Sequence, residues 1–244
     1  MSDLYLDLLE KCLLNIFYED VPNDPWTSGC YDFKVRANGQ DWPSQAHTMI
    51  GWHRLRQLRE ACETVIREGI CGDFIETGVW RGGACILMRA VLKVHNVQDR
   101  KVWCADSFEG LPKPDAAQYP VDQNDTHHRF SQLAVGIEDV KRNFRKYDLL
   151  DEQVVFLKGW FKDTLAAAPI TTLAVLRLDG DMYESTMQAL DLLYDKVSVG
   201  GFVIVDDYLT VPACKAAVID FRASRMIANE LIAIDQGGVF WRKT

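Results

Sequence analysis

From Gly72 onward the chain alternates short apolar runs with amphipathic ones, and no other feature restricts its folding as strongly. The runs are Asp73-Phe-Ile-Glu76, Val102-Trp-Cys-Ala-Asp106, Val154-Val-Phe-Leu157, Leu173-Ala-Val-Leu-Arg-Leu-Asp179 and Phe202-Val-Ile-Val-Asp206. They are apolar on both faces, as parallel strands covered by helices on both sides must be. Between them the spacing predicts helices over Cys85–Val94, Val135–Tyr147, Phe161–Ala167, Ser185–Val197 and Cys214–Arg225. Leu231–Ile234 and Val239–Trp241 fit a closing antiparallel pair. The expected fold is α/β, a doubly wound, mostly parallel, Rossmann-like sheet. Residues 1–70 read instead as a helical N-terminal extension, with helices over Leu4–Ile16 and Ala46–Glu68 around a loop from Val21 to Trp42, and residues 71–244 as the α/β domain.

The charge balance narrows the partners. With 27 Lys and Arg against 35 Asp and Glu, the net charge is −8, which excludes a phosphate-neutralising nucleic-acid surface and disfavours anionic membranes. No apolar stretch is long enough to span a bilayer, and Met1-Ser-Asp-Leu-Tyr5 lacks the features of a signal peptide, so a cytoplasmic protein is expected. The seven cysteines, Cys12, Cys30, Cys62, Cys71, Cys85, Cys104 and Cys214, are irregularly spaced without a CxxC pair and read as free thiols.

In open α/β sheets ligands bind beyond the carboxyl ends of the strands. Four of these strands end there in carboxylates: Glu76, Asp106, Asp179 and the pair Asp206-Asp207. After the first strand, Glu76-Thr-Gly78-Val-Trp-Arg-Gly82-Gly83 forms a glycine loop opening a helix. The glycines let the backbone approach a ligand, but their spacing is not GxGxxG, and an acid beside the loop suits an ammonium group better than a pyrophosphate. Asp106 stands where an acidic residue accepts the hydroxyls of a ribose. Gly159-Trp160-Phe161 could wall an adenine, or Trp160 and Phe161 could be ordinary core residues. Asp179, Asp181, Asp206 and Asp207 crowd adjacent strand ends, where carboxylates repel unless a cation intervenes, and hard oxygen ligands suit Mg²⁺. Asp181 could alternatively cap the helix that follows it.

Taken together, the strings GDFIETGVWRGGA, ADSFEGLP, GWF-x-DTL, LRLDGDMYEST and GGFVIVDDY resemble the macrocin O-methyltransferase family over Thr48 to Trp241. Members of that family use S-adenosylmethionine and Mg²⁺ to methylate sugar hydroxyls of macrolide and aminocoumarin antibiotics. The resemblance implies a class I methyltransferase fold for residues 71–244 and a small-molecule acceptor carrying a sugar. It implies that Thr48, Met49, Glu76, Thr77, Gly78, Val79 and Trp80 contact the methionine half of the cofactor. It implies further that Asp106 and Ser107 hold the ribose, that Gly159 and Trp160 border the adenine, that Asp179, Asp206 and Asp207 bind Mg²⁺, and that Asp181 is the general base. The pattern is also similar to catechol O-methyltransferases, whose lysine base would fall at Met182, so that mechanism does not transfer.

Two other readings compete. A metal-dependent glycosyltransferase would use Asp179-x-Asp181 as a DxD motif, but leaves the glycine loop without a role. A cofactor-binding scaffold without chemistry would have no need of the four aspartates. The loops at 21–42 and 112–131 are candidate lids over the acceptor, the second containing His127 and His128, to which no catalytic role is given. The apolar helix Leu4–Ile16 could pack on its own domain or on a second copy in a homo-oligomer.

Overall fold

The computed structural model describes residues 2–244. Its centre is one seven-stranded sheet: β1 (Asp73–Thr77), β2 (Val102–Asp106), β3 (Val154–Lys158), β4 (Leu173–Leu178), β5 (Val197–Val205), β6 (Ile232–Ala233) and β7 (Val239–Arg242). The strand order is β3-β2-β1-β4-β5-β7-β6; the first five run parallel, and β7 pairs antiparallel with both β5 and β6. The strand order therefore reverses between β1 and β4, and the crevice at their carboxyl ends is where such folds bind ligands.

The helices are α1 (Ser2–Leu13), α2 (Phe33–Ala37), α3 (Gly51–Arg67), α4 (Gly83–Val94), α5 (Ile137–Lys146), α6 (Phe161–Thr164), α7 (Tyr183–Leu193) and α8 (Pro212–Ser224). On α3, Leu55, Leu58, Cys62 and Val65 make one buried stripe against α4, as helical periodicity requires. Leu6, Leu9 and Leu13 of α1 join the same core, and α1 is tied to α3 by Arg59 on Asp7 at 2.7 Å. Each fully buried leucine here contributes about 2 kcal/mol of hydrophobic free energy. A second core, on the other face of the sheet, packs α7 and α8 through Leu190, Leu193, Val218 and Phe221 against Leu176, Val203 and Trp241. Leu4 and Leu8 of α1 stay exposed.

Some boundaries differ from the sequence pattern. The predicted helix from Ala46 begins only at Gly51, because residues 46–50 form an irregular segment that docks on the glycine loop, where the His47 carbonyl accepts the Gly83 N–H at 2.9 Å. The loop from Val21 to Trp42 contains α2, capped by Asp32, which accepts the N–H of Lys34 at 2.7 Å. All seven cysteines are free thiols, with Cys62, Cys85, Cys104 and Cys214 buried. Among the described residues, no helix is long and apolar enough to cross a membrane.

Candidate active site

Strand register assembles the site. Glu76 of β1 pairs with Arg177 of β4, which pairs with Ile204 of β5. Side chains two apart along a strand share a face, so Asp179 and Asp206 join Glu76 and Arg177 on one side of the sheet ends. Arg177, only 1% exposed, donates to Glu76 Oε1 at 2.6 Å and Asp179 Oδ2 at 2.7 Å, and also to Asp206 Oδ1. Arg54 of α3 donates to the other oxygen of Asp206 and, at 3.0 Å, to Asp235 in the β6–β7 turn. Two buried guanidiniums thus hold a carboxylate cluster that would otherwise repel itself. The sequence reading overlooked both. Arg177 had a signal, since a lone arginine inside an apolar strand must find buried acids; Arg54 sits beside the α3 stripe with none.

One oxygen from each of Asp179, Asp206 and Asp207 lies within 4.8 Å of the others, a spacing that one cation can bridge. Asp207 Oδ2 is buried without a hydrogen-bond partner. Burial raises the carboxyl of Asp207 well above its ordinary range, and the nearby Asp181, Asp179 and Asp206 raise it further. Burial likewise pushes Asp206 up to about 6, against the pull of Arg177 and Arg54. An orphaned buried oxygen and carboxylates made reluctant to ionise are what a hard divalent cation would relieve, so these residues fit Mg²⁺.

Asp181 lies between β4 and α7 in the left-handed region at φ 55°, a conformation that aspartate tolerates, and lines the same cleft. Burial is the main force pushing its carboxyl up to about 7, reinforced by Asp179 and opposed by His127. It does not cap α7. That role falls to Asp122, whose carboxylate accepts the N–H of Tyr183 at 2.7 Å and of Glu184 at 2.9 Å from a different segment. Met182, where a catechol-type base would stand, is fully buried.

The glycine loop forms the neighbouring wall. Asp106 Oδ2 accepts the N–H of Val79 at 2.6 Å and of Trp80 at 3.3 Å, while Oδ1 accepts that of Phe108 at 2.6 Å. Asp106 therefore organises the loop, and four carboxylate lone pairs leave room for a further donor. Ser107 accepts the N–H of Glu109 and donates to the Gly110 carbonyl. Glu76 has both oxygens engaged inside the protein, Oε2 accepting from the Cys85 thiol at 2.9 Å, and burial pushes its carboxyl up to about 8. Thr77 is buried, bonds the Arg177 carbonyl and does not line the cleft. The other expected residues, Thr48, Met49, Glu76, Gly78, Val79, Trp80, Asp106, Ser107, Gly159, Trp160, Asp179, Asp181, Asp206 and Asp207, all line one cleft of about 1140 Å³. Phe161 lines it too, while also packing on the second core.

Both loops read as candidate lids border this cleft and touch each other. Trp42 packs edge-on to Trp26 at 4.6 Å and to Phe130 at 5.2 Å, and Gln132 donates to the Asn23 carbonyl at 3.3 Å.

The geometry has counterparts among known proteins. The chain is 57% identical over 247 residues to demethyldecarbamoylnovobiocin O-methyltransferase of Streptomyces niveus, covering 100% of this chain and 94% of that one. It is 46% identical to mycinamicin III 3''-O-methyltransferase of Micromonospora griseorubida, covering 99% and 97%. The solved structure of the O-methyltransferase NovP superposes with a TM-score of 0.95 at 57% identity, covering both chains fully. The calicheamicin methyltransferase CalS11, at 18% identity and a TM-score of 0.61, shares the fold. The fold and these relatives define the protein as an O-methyltransferase. Residues 8–243 match the family described as Macrocin-O-methyltransferase (TylF), and the chain belongs to that family.

Proposed function

We propose that this chain transfers the methyl group of S-adenosylmethionine to a sugar hydroxyl of a glycosylated antibiotic or its precursor, with Mg²⁺ at Asp179, Asp206 and Asp207 and with Asp181 as general base. The observation that carries this reading is the single cleft in which the glycine loop meets the carboxylate cluster. Thr48, Met49, Glu76, Gly78, Val79 and Trp80 would border the methionine half of the cofactor, while Thr77 stays behind the cleft wall bonded to the Arg177 carbonyl. Asp106 and Ser107 would take the ribose, and Gly159 and Trp160 the adenine. Cleft residues Asp106, Asp179 and Asp181 also give a negative lining that suits a sulfonium cation.

An aliphatic hydroxyl keeps its proton at neutral pH and needs help to act as a nucleophile. Mg²⁺, when bound, supplies Lewis acidity that stabilises negative charge developing on oxygen. The acceptor oxygen forms its new bond to the methyl carbon as the carbon–sulfur bond breaks, and Asp181 takes the hydroxyl proton. Asp181 is suited to this because it lines the cleft two residues beyond the proposed cation ligand Asp179. The relatives are named for acceptors that carry sugars, among them demethyldecarbamoylnovobiocin, mycinamicin III and a dimethoxyrhamnosyl tetracenomycin. The DxD glycosyltransferase reading has no support from these relatives.

The test has two stages. Calorimetric titration of S-adenosylhomocysteine should show micromolar binding, with a nucleotide sugar as the non-binding control. Methyl transfer is then assayed with those three acceptors in Mg²⁺ and in EDTA. Binding without transfer to any of the three would discard the sugar reading, and failure to bind S-adenosylhomocysteine would discard the cofactor.

A further inference from the structure

The insertion between β2 and α5 carries a histidine that the chemistry above does not use. Asp122, only 1% exposed, ends a short 3-10 turn and caps α7 through the N–H groups of Tyr183 and Glu184. Tyr183 follows Asp181 by two residues, so this clamp fixes the insertion beside the proposed base. Three residues after Asp122, Asp125 Oδ1 accepts the backbone N–H of His127 at 2.8 Å, and its Oδ2 lies 2.6 Å from His127 Nδ1. A carboxylate on Nδ1 makes that nitrogen the N–H donor and leaves Nε2 as the free edge of the ring. Among the described residues nothing hydrogen-bonds Nε2, and His127, 30% exposed, lines the cleft together with Asp125 and Asp181.

The surroundings indicate what this edge would meet. His127 is tilted against Phe130, which packs on Trp42, while Trp80 Nε1 donates to the Gln132 carbonyl at 2.9 Å. The histidine therefore stands on the rim where the insertion meets the N-terminal loop, with Trp26, Trp42 and Tyr119 lining the same cleft. Aromatic walls with one well-placed polar edge suit a sugar carried on an apolar aglycone.

We propose that His127 is an acceptor-binding residue whose Nε2 hydrogen-bonds a hydroxyl of the sugar presented to Asp181, and that Asp125 is the positioning residue that fixes its ring. The assignment rests on the methyl-transfer reading above. It does not depend on the charge of the ring, because a sugar hydroxyl donates to a neutral Nε2 and accepts from a protonated one.

The test measures KM and kcat for the acceptor, using whichever of the three glycosides wild type turns over fastest, in His127→Ala, His127→Gln and Asp125→Asn. His127→Ala should raise the acceptor KM about 10- to 100-fold, the loss expected of one hydrogen bond to a polar ligand. S-adenosylhomocysteine affinity and the thermal shift produced by MgCl₂ should stay at wild-type values. His127→Gln, which can still present an amide at the Nε2 position, should recover part of the loss, and Asp125→Asn should show a smaller KM rise. An unchanged acceptor KM in His127→Ala would overturn the proposal, as would an equal loss of S-adenosylhomocysteine affinity in both histidine variants, which would assign the ring to folding of the insertion. A wild-type chain that methylates no glycoside overturns both readings; one that does, matched by His127→Ala, overturns this one alone.

Discussion

Gly78 lies so close to Asp179 that a Cβ on it would stand 1.7 Å from the Asp179 carbonyl oxygen. The glycine loop and the first carboxylate of the cluster are thus in backbone contact, and Gly78 also holds φ at +94°. Gly78→Ala is expected to displace both at once, destabilising the fold by about 3 kcal/mol. Urea denaturation would measure that cost, and calorimetry should show weaker binding of S-adenosylhomocysteine together with a smaller MgCl₂ thermal shift. Wild-type stability in this variant would contradict the close contact.

Asp181→Asn keeps the size of the side chain and removes its ability to take a proton. Turnover should fall about 10²- to 10⁴-fold, while S-adenosylhomocysteine affinity stays near wild type. Substantial retained activity in a single-turnover assay would remove Asp181 as the base.

Arg177 compensates Glu76, Asp179 and Asp206 from a position with no access to water. Arg177→Met leaves those carboxylates without their shared cation, and the expected loss of stability is about 3–5 kcal/mol, read from the urea midpoint at neutral pH. Lowering the pH towards 5 should narrow the gap to wild type, because burial already favours the protonated forms of Glu76 and Asp206. A gap that widens would mean that Arg177 acts by packing alone.

Asp206→Ala and Asp207→Asn address the cation directly. Wild type in MgCl₂ at about 100 times its dissociation constant should gain about 2.7 kcal/mol, seen as a raised Tm that EDTA reverses. Either variant should lose most of that shift. An undiminished shift in both would place the ion elsewhere.

Burial lowers His47 from 6.5 to about 4, with Lys146 and Arg81 adding to the effect, and its Nδ1 bonds the Tyr147 hydroxyl at 2.6 Å. The unfolded chain therefore takes up a proton below pH 6.5 that the folded protein refuses until about pH 4. Stability should fall as pH drops through that window, by roughly 3 kcal/mol from this residue. In His47→Gln this part of the pH dependence should disappear from a series of urea melts, and an unaltered pH slope would count against it.

Much of the site could be read before any folding. Period two within a strand and the carboxylates at the strand ends are local properties, and they bring Glu76, Asp106, Asp179 and Asp206 to one edge of the sheet in any parallel arrangement. The antiparallel closure by β6 and β7 was legible for the same reason. Helix starts were less so. Apolar spacing carries the α3 pattern back to Ala46, yet residues 46–50 stay outside the helix because the His47 carbonyl is taken by Gly83. α7 begins at Tyr183, ahead of the Ser185 that its pattern suggested, because its first N–H groups are capped by Asp122.

Local chemistry along the chain was enough to specify the parallel sheet, its glycine loop and the carboxylates that face the cleft, since each depends only on residues a few positions apart. Tertiary structure alone decided that Arg54 holds Asp206 from α3, that Asp122 caps a helix 61 residues away, and that His127, whose ring is held locally by Asp125, lines the cleft beside Asp181. Polar loops have no hydrophobic period to give their position away. Their long-range partners form only when the core has brought distant segments together, and in this protein those segments border the cleft.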